Sequence, residues 1–281
     1  MKQIFRWELT VPEADFDRAT GFLTLRVPFG WEEQSLPTGE TVFRVHCDNP
    51  DFVQQLRQDS LAWLPEAVCQ VDSLEAQDWL AAWRQFFTPV VCGRFVVLPP
   101  WLAEDPAFAD KIRIIIEPKS AFGTGHHATT ALCLEVLSSL LDAGRLRAGQ
   151  TFLDLGTGSG VLGIACCKSG LRGLGLDIDP LAVENAEENR ARNAVPGLDL
   201  GLGGVEAAEG HTYDLILANI LARPLTEMAP DLVRRLTPGG CLVLSGLLDI
   251  QADGVTAAYA AQGLPAPRQV ARESWRALIW E

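Results

Sequence analysis

The segment Phe152–Gly160, FLDLGTGSG, constrains this chain more than any other stretch. Asp154 closes an apolar run and Gly156, Gly158 and Gly160 follow it, which predicts a buried parallel strand turning sharply into a helix, with backbone bare enough for a ligand to approach. A nucleotide-like cofactor belongs at such a turn. Gly158, Gly160 and Gly163 also satisfy G-x-G-x-x-G, a weak dinucleotide signature when it stands alone. Asp177 closes the next apolar run, LGLDI, 21 residues after Gly156, where a ribose hydroxyl expects its acceptor. Asp154 discriminates between cofactors, because a carboxylate beside the turn repels a pyrophosphate and attracts the ammonium and sulfonium of S-adenosylmethionine. The expectation is the methyl donor rather than NAD, held around Asp154, Gly156, Gly158 and Asp177.

A chain of 281 residues with 48% hydrophobic side chains suggests two domains and supplies ample core. No apolar run is long enough to span a bilayer, and MKQIFRWELT lacks the apolar stretch of a secretion signal, so a cytoplasmic protein without membrane association is expected. The seven cysteines form no C-x-x-C pair, and Cys166 and Cys167 fall in an apolar helical stretch. Buried reduced thiols are expected, and no metal site. A net charge of -13 argues against direct binding to nucleic acid, whose affinity comes from clustered Lys and Arg. Residues 1–88 carry 7 basic and 14 acidic side chains, which either steers a basic protein partner or serves solubility.

The pattern over residues 1–72 reads strand 3–10, helix 12–24, strands 30–36 and 41–47, helix 50–61 and strand 67–72, the ferredoxin-like order. Lacking a glycine loop, a nucleophile setting or metal spacing, this domain is expected to dock a partner. Residues 73–88 read as a linker helix capped by Ser73, with Trp79, Trp83, Phe86 and Phe87 along one face. From 89 to 281 strands and helices alternate: helix 161–168, strand 174–178, helix 180–193, a weak strand 198–202, strand 214–220, helix 224–236 and strand 241–247. A helix ending at Gly263 and strands 267–273 and 275–280 finish the chain. Such alternation predicts an α/β fold with a mostly parallel sheet covered on both faces, its last strand antiparallel. Pro238, Gly239 and Gly240 read as a structural turn into the fifth strand.

Three features carry chemistry. AFGTGHHATT, Ala121–Thr130, is a glycine-rich loop before a helix, suited to close over a cofactor. Within it His126 and His127 either line a pocket, serve as a pH-sensitive base or stand as ordinary polar positions, and Thr129 and Thr130 either cap the helix or touch the cofactor. DLILANIL, Asp214–Leu221, is a buried strand ending in Asn219 beside the same crevice. Methyl transfer to an amine needs alignment and exclusion of water, and it needs the amine neutral, although a free lysine has a pKa near ~10.4. The Asn219 oxygen is placed to accept an amine N–H and is the expected catalytic side chain.

PKSAFGTGHHATT from Pro118 to Thr130, DLGTGSG, GLDIDP, ANIL and LSGLL, with the linker tryptophans, span most of residues 75–250. In combination they resemble the PrmA family, the class I methyltransferases that modify ribosomal protein L11 of the large subunit. The resemblance implies a Rossmann-like class I methyltransferase sheet with a small ferredoxin-like α+β domain at the N-terminus that docks the substrate protein. It implies multiple N-methylation of lysine side chains and the terminal amine, with S-adenosylmethionine as donor. By motif, Thr130, Gly156, Asp177 and Asn219 are the cofactor contacts, and the loop containing Phe122, Gly123 and His126 is the flexible cover. Related enzymes acting on planar amides or bases resemble one another in an N-P-P-Y type motif. Here Ile220 and Leu221 follow the asparagine, which favours a flexible aliphatic amine. Three alternatives stay open: methylation of another protein or a small amine, a non-catalytic cofactor-binding factor in ribosome assembly, and a dehydrogenase.

Overall fold

The computed structural model describes residues 3–27, 31–36, 38–65, 67–75, 88–117 and 127–281. The chain divides into two compact units, Met1–Phe86 and Phe87–Glu281.

In the first unit, β1 (Gln3–Pro12) pairs antiparallel with β3 (Glu40–Cys47) and β4 (Val68–Glu75), and β2 (Glu32–Ser35) adds to β3. The order β2-β3-β1-β4 is that of a ferredoxin-like sheet. Strand alternation explains its single core: Trp7, Leu9 and Val11 all point inward and are fully buried, where they pack with Phe22 and Leu23 of α1 (Phe16–Arg26) and Val53 and Leu56 of α2 (Pro50–Trp63). Helix α2 starts at Pro50 because Asn49 accepts the backbone N–H groups of Asp51 and Phe52. Pro12 ends β1 rather than opening the expected helix, and a 3-10 turn over Glu13–Asp15 precedes α1. The start expected for the linker helix, at Ser73, is corrected as well. Ser73 pairs with Phe5 and Glu75 with Gln3, so the strand runs three residues past 72. Trp79, Trp83, Phe86 and Phe87 lie outside the described residues.

The second unit is built on a seven-stranded sheet in the order β10-β9-β8-β11-β12-β14-β13. Its strands are β8 (Thr151–Leu155), β9 (Arg172–Asp177), β10 (Leu198–Leu202), β11 (Tyr213–Asn219), β12 (Leu236–Leu248), β13 (Arg268–Arg272) and β14 (Trp275–Trp280). β8 to β12 are parallel, and β14 inserts antiparallel between β12 and β13. Both faces are buried. Phe152, Leu215, Leu217 and Val243 meet α3 (Ala128–Asp142) and α4 (Val161–Lys168), while Leu153, Leu155, Ile216 and Leu244 meet α6 (Ala222–Glu227), α7 (Ala229–Arg234) and α8 (Ala252–Ala260). α5 (Pro180–Arg192) packs on β9 and β10.

Three departures from the expected pattern have local causes. The single helix expected over 224–236 is two, broken at Met228, because Pro230 has no N–H to donate back to the preceding turn. Pro238–Gly240 is a bulge inside β12 rather than a turn before it, since Tyr213 faces Leu236 and Leu215 already faces Cys241. A further sheet, β5 (Val90–Cys92), β6 (Phe95–Leu98) and β7 (Ile112–Ile115), was not expected, although VVCGRFVVL carries a two-residue hairpin signal at Gly93 and Arg94.

Candidate active site

The order of the parallel sheet reverses between β8 and β11, so their carboxyl ends open a crevice. At the tip of β8 the chain turns through Gly156, Gly158 and Gly160, at φ of 73°, 55° and 81°, values that L side chains rarely adopt and glycine adopts freely. Gly156 and Thr157 both donate their N–H to the Leu176 carbonyl, at 2.8 and 2.9 Å, which hangs the turn on β9. A Cβ on Gly156 would stand 2.3 Å from Ile220 Cγ2, so the turn and the tip of β11 touch through the absence of a side chain. Asp177 completes the frame. Its Oδ2 accepts from Gly158 N at 2.9 Å and its Oδ1 from Asp179 N at 3.1 Å, leaving lone pairs on both oxygens for hydroxyl donors.

Asp154 does not share that crevice. It is wholly buried beneath the turn, where Oδ2 accepts from Thr157 Oγ1 at 2.7 Å and from Gly163 N at 3.0 Å. Its Oδ1 has no partner. Burial pushes its pKa up to about 6, against the pull of the Thr157 and Gly163 bonds, with the Asp177 charge adding a smaller push. The expectation that Asp154 presents a negative charge to a sulfonium is corrected. Among the described residues Asp177 is the one carboxylate on the wall of the cavity, and Asp154 braces the turn from behind.

Asn219, at the last position of β11, lines the cavity. Its Nδ2 donates to Thr130 Oγ1 at 3.3 Å, and its Oδ1 is buried with no hydrogen-bond partner. Thr130 is fully buried on α3 and meets the crevice through Asn219 rather than directly. The helix is capped by His127, whose Nδ1 stands 2.7 Å from Thr129 Oγ1 and whose ring lies edge-on to Trp275 at 4.7 Å. Phe122, Gly123 and His126 lie outside the described residues.

These groups surround a cavity of about 550 Å³, inside the range of ligand sites. Its wall is mostly apolar: Leu155, Ile220, Leu221, Met228 and Trp275 face it, with Gly203, Gly204 and Gly246 where backbone comes close. Ile178 and Leu221, 81% and 73% exposed, stand as an apolar rim of the cavity. Gly246, Trp275 and Met228 were missed as site residues. LSGLL hinted at Gly246, but nothing in a local pattern brings the last hairpin to the tips of β8 and β11. No group of three or more His, Cys, Asp or Glu among the described residues is arranged to hold a metal. No helix of the described residues is long and apolar enough to cross a membrane.

The walls fit S-adenosylmethionine by their chemistry: a carboxylate with free lone pairs, an unpaired buried acceptor oxygen, side-chain-free backbone at Gly156 and Gly158, and an apolar slot. The family model of ribosomal protein L11 methyltransferase (PrmA) matches residues 30–281. A ribosomal protein L11 methyltransferase of Allorhizobium ampelinum is 38% identical over 272 residues, covering 89% of this chain and 91% of that one. One from Thermus thermophilus is 42% identical over 205 residues, 73% of this chain and 77% of its own length. Among solved structures, the ribosomal protein L11 methylase of Lactobacillus delbrueckii subsp. bulgaricus superposes with a TM-score of 0.60 at 31% identity, over 66% of this chain and 93% of that one. The chain belongs to the ribosomal protein L11 methyltransferase (PrmA) family, with the Rossmann-like class I fold and the S-adenosylmethionine dependence of that family.

Proposed function

We propose that the protein transfers methyl groups to lysine side chains and the terminal amine of ribosomal protein L11, with residues 1–72 docking the substrate and residues 89–281 carrying the chemistry. The observation that carries this reading is the buried, unpartnered Oδ1 of Asn219 on the cavity wall. The family relatives supply the identity of the protein substrate. Gly156, Gly158, Asp177 and Asn219 are the residues that would hold S-adenosylmethionine, with Thr130 and Asp154 bracing them from behind and Phe122, Gly123 and His126 contributing from the neighbouring segment. When bound, the cofactor supplies a methyl group on a positively charged sulfur.

The chain's own work is to present the amine neutral, dry and aligned. A lysine amine in water has a pKa near ~10.4, and the apolar wall of Leu155, Ile220, Leu221 and Met228 disfavours its charged form. Asn219 Oδ1 accepts one N–H, which orients the nitrogen lone pair without holding a proton that has to leave. An aliphatic chain needs no flat stacking surface after the asparagine, and Ile220 and Leu221 offer none.

Incubation with radiolabelled S-adenosylmethionine and purified ribosomal proteins, resolved on a gel, is expected to label L11. Label on no ribosomal protein would sink the assignment. Asn219→Ala is expected to lower kcat/KM about 100-fold; unchanged turnover would remove Asn219 from the chemistry.

A further inference from the structure

α5 carries three asparagines one helical turn apart, Asn185, Asn189 and Asn193 at its C-cap, and all three are buried. Burying amides in series is costly unless each is hydrogen-bonded. Asn185 Nδ2 has no partner, whereas the bonds of Asn189 and Asn193 run to two distant backbone segments. Asn193 Oδ1 accepts from Ile115 N at 2.9 Å, while its Nδ2 donates to Ile115 O at 2.6 Å and to Asn189 O at 2.9 Å, completing the open edge of β7 as a neighbouring strand would. Asn189 reaches further. Its Oδ1 accepts from Glu117 N at 3.0 Å, and its Nδ2 donates to Ser159 O at 2.9 Å and to Asn185 Oδ1 at 3.4 Å.

Ser159 sits within the glycine turn, between Gly158 on the cavity wall and Gly160 at the start of α4. Several bonds on that turn come from β8, β9 or the turn itself: Leu176 O on Gly156 and Thr157, Asp177 on Gly158, Asp154 on the Thr157 hydroxyl and Thr157 O on Gly160. Asn189 adds a restraint from a helix, and the same amide fixes the backbone at Glu117, 42 residues earlier in the chain than Ser159. We infer that Asn189 is a positioning residue for cofactor binding, using one buried amide to hold the glycine turn in its binding shape and to tie it to the end of the β7 segment. The inference rests on S-adenosylmethionine occupying the cavity at that turn.

The test compares Asn189→Leu with Asn193→Leu in the full chain, by calorimetric titration with S-adenosylmethionine, thermal unfolding, and KM for each substrate. Both variants lose buried hydrogen bonds and both are expected to melt lower. Asn189→Leu is expected to raise the cofactor Kd and KM tenfold or more, about 1.4 kcal/mol, with the acceptor KM within twofold. Asn193→Leu, which leaves Ser159 O paired, is expected to change the cofactor Kd less than threefold. Equal effects of the two variants, or an unchanged Kd in a folded Asn189→Leu, overturn the assignment.

Asn189→Asp keeps the assignment testable where the leucine variant does not fold. A protonated carboxyl still accepts from Glu117 N and donates to Ser159 O, whereas an ionised one repels that carbonyl. Its cofactor affinity is therefore expected to fall relative to the parent protein as pH rises, and a parallel pH profile overturns the proposal. Failure of the parent protein to bind S-adenosylmethionine in the same titration would remove the cofactor reading instead.

Discussion

Asp154 shows how one residue can be legible in type and misread in role. A carboxylate at a strand tip beside three glycines is an obvious ligand for a cation, yet its side chain points under the turn and its ionisation is opposed by burial. The consequence for stability has a definite sign. A carboxyl group whose pKa is higher folded than unfolded stabilises the fold below its unfolded pKa, and that contribution is lost as pH rises through the folded value. For Asp154 the window runs from 3.8 to about 6. On a fully buried group, a displacement across that window corresponds to about 3 kcal/mol. The stability of the parent protein relative to Asp154→Asn is expected to fall by roughly that amount between these pH values, measured by denaturant titrations at successive pH. The same slope in both proteins would show that Asp154 ionises without penalty. The thiols follow the same logic: burial pushes Cys133 up to about 12 and Cys92 up to about 11, so neither has thiolate character at neutral pH.

At the scale of the element, β12 is the informative strand, because it holds two irregularities with different purposes. Gly239, at φ 77°, lies in the Pro238–Gly240 bulge, and a Cβ there would meet nothing within 4 Å. Gly246, at φ 86°, sits where the register with β14 shifts, and a Cβ there would fall 2.3 Å from the Ile220 carbonyl oxygen. The first bulge needs glycine for its dihedral alone. The second needs it because the backbone of Ile220, one residue past the end of β11, lies against it. Gly239→Ala is expected to cost about 1–2 kcal/mol, the penalty of a left-handed alanine, with cofactor binding unchanged. Gly246→Ala is expected to cost about 3 kcal/mol or more and to raise the cofactor Kd, since Ile220 has to move and Asn219 with it. Equal losses in the two variants would show that Gly246 does not shape the crevice.

For the whole molecule, charge and division into units set the terms of recognition. The chain carries a net charge of -13, with 7 basic against 14 acidic residues over positions 1–88, and the cavity at the strand ends is largely apolar. Attraction of a cationic protein is long-ranged and screened by salt, whereas contacts inside the cavity are short-ranged. Raising ionic strength from about 0.01 M to about 0.15 M shortens the screening length from ~30 Å to ~8 Å. The KM for ribosomal protein L11 is expected to rise several-fold over that range while the KM for S-adenosylmethionine moves less than twofold. A salt-independent KM for the protein substrate would remove electrostatic steering from its recognition.

The residues alone determined the α/β class, the order of strands and helices in the first unit and from β8 onward in the second, the glycine turn, and the gathering of Asp177 and Asn219 at strand ends. Those features are local, set by apolar periodicity, by glycine where φ is positive, and by carboxylates and amides that close buried runs. The tertiary structure decided what no window of sequence contains. It turned Asp154 beneath the loop, carried Ser73 into a strand by pairing it with Phe5, and brought Trp275 and Gly246 to the crevice from the far end of the chain. It also tied Asn189 to Ser159 and Glu117. The physical reason is common to all of these: a side chain's partner across the fold, rather than its neighbours in sequence, fixes which way it points and what it can bind.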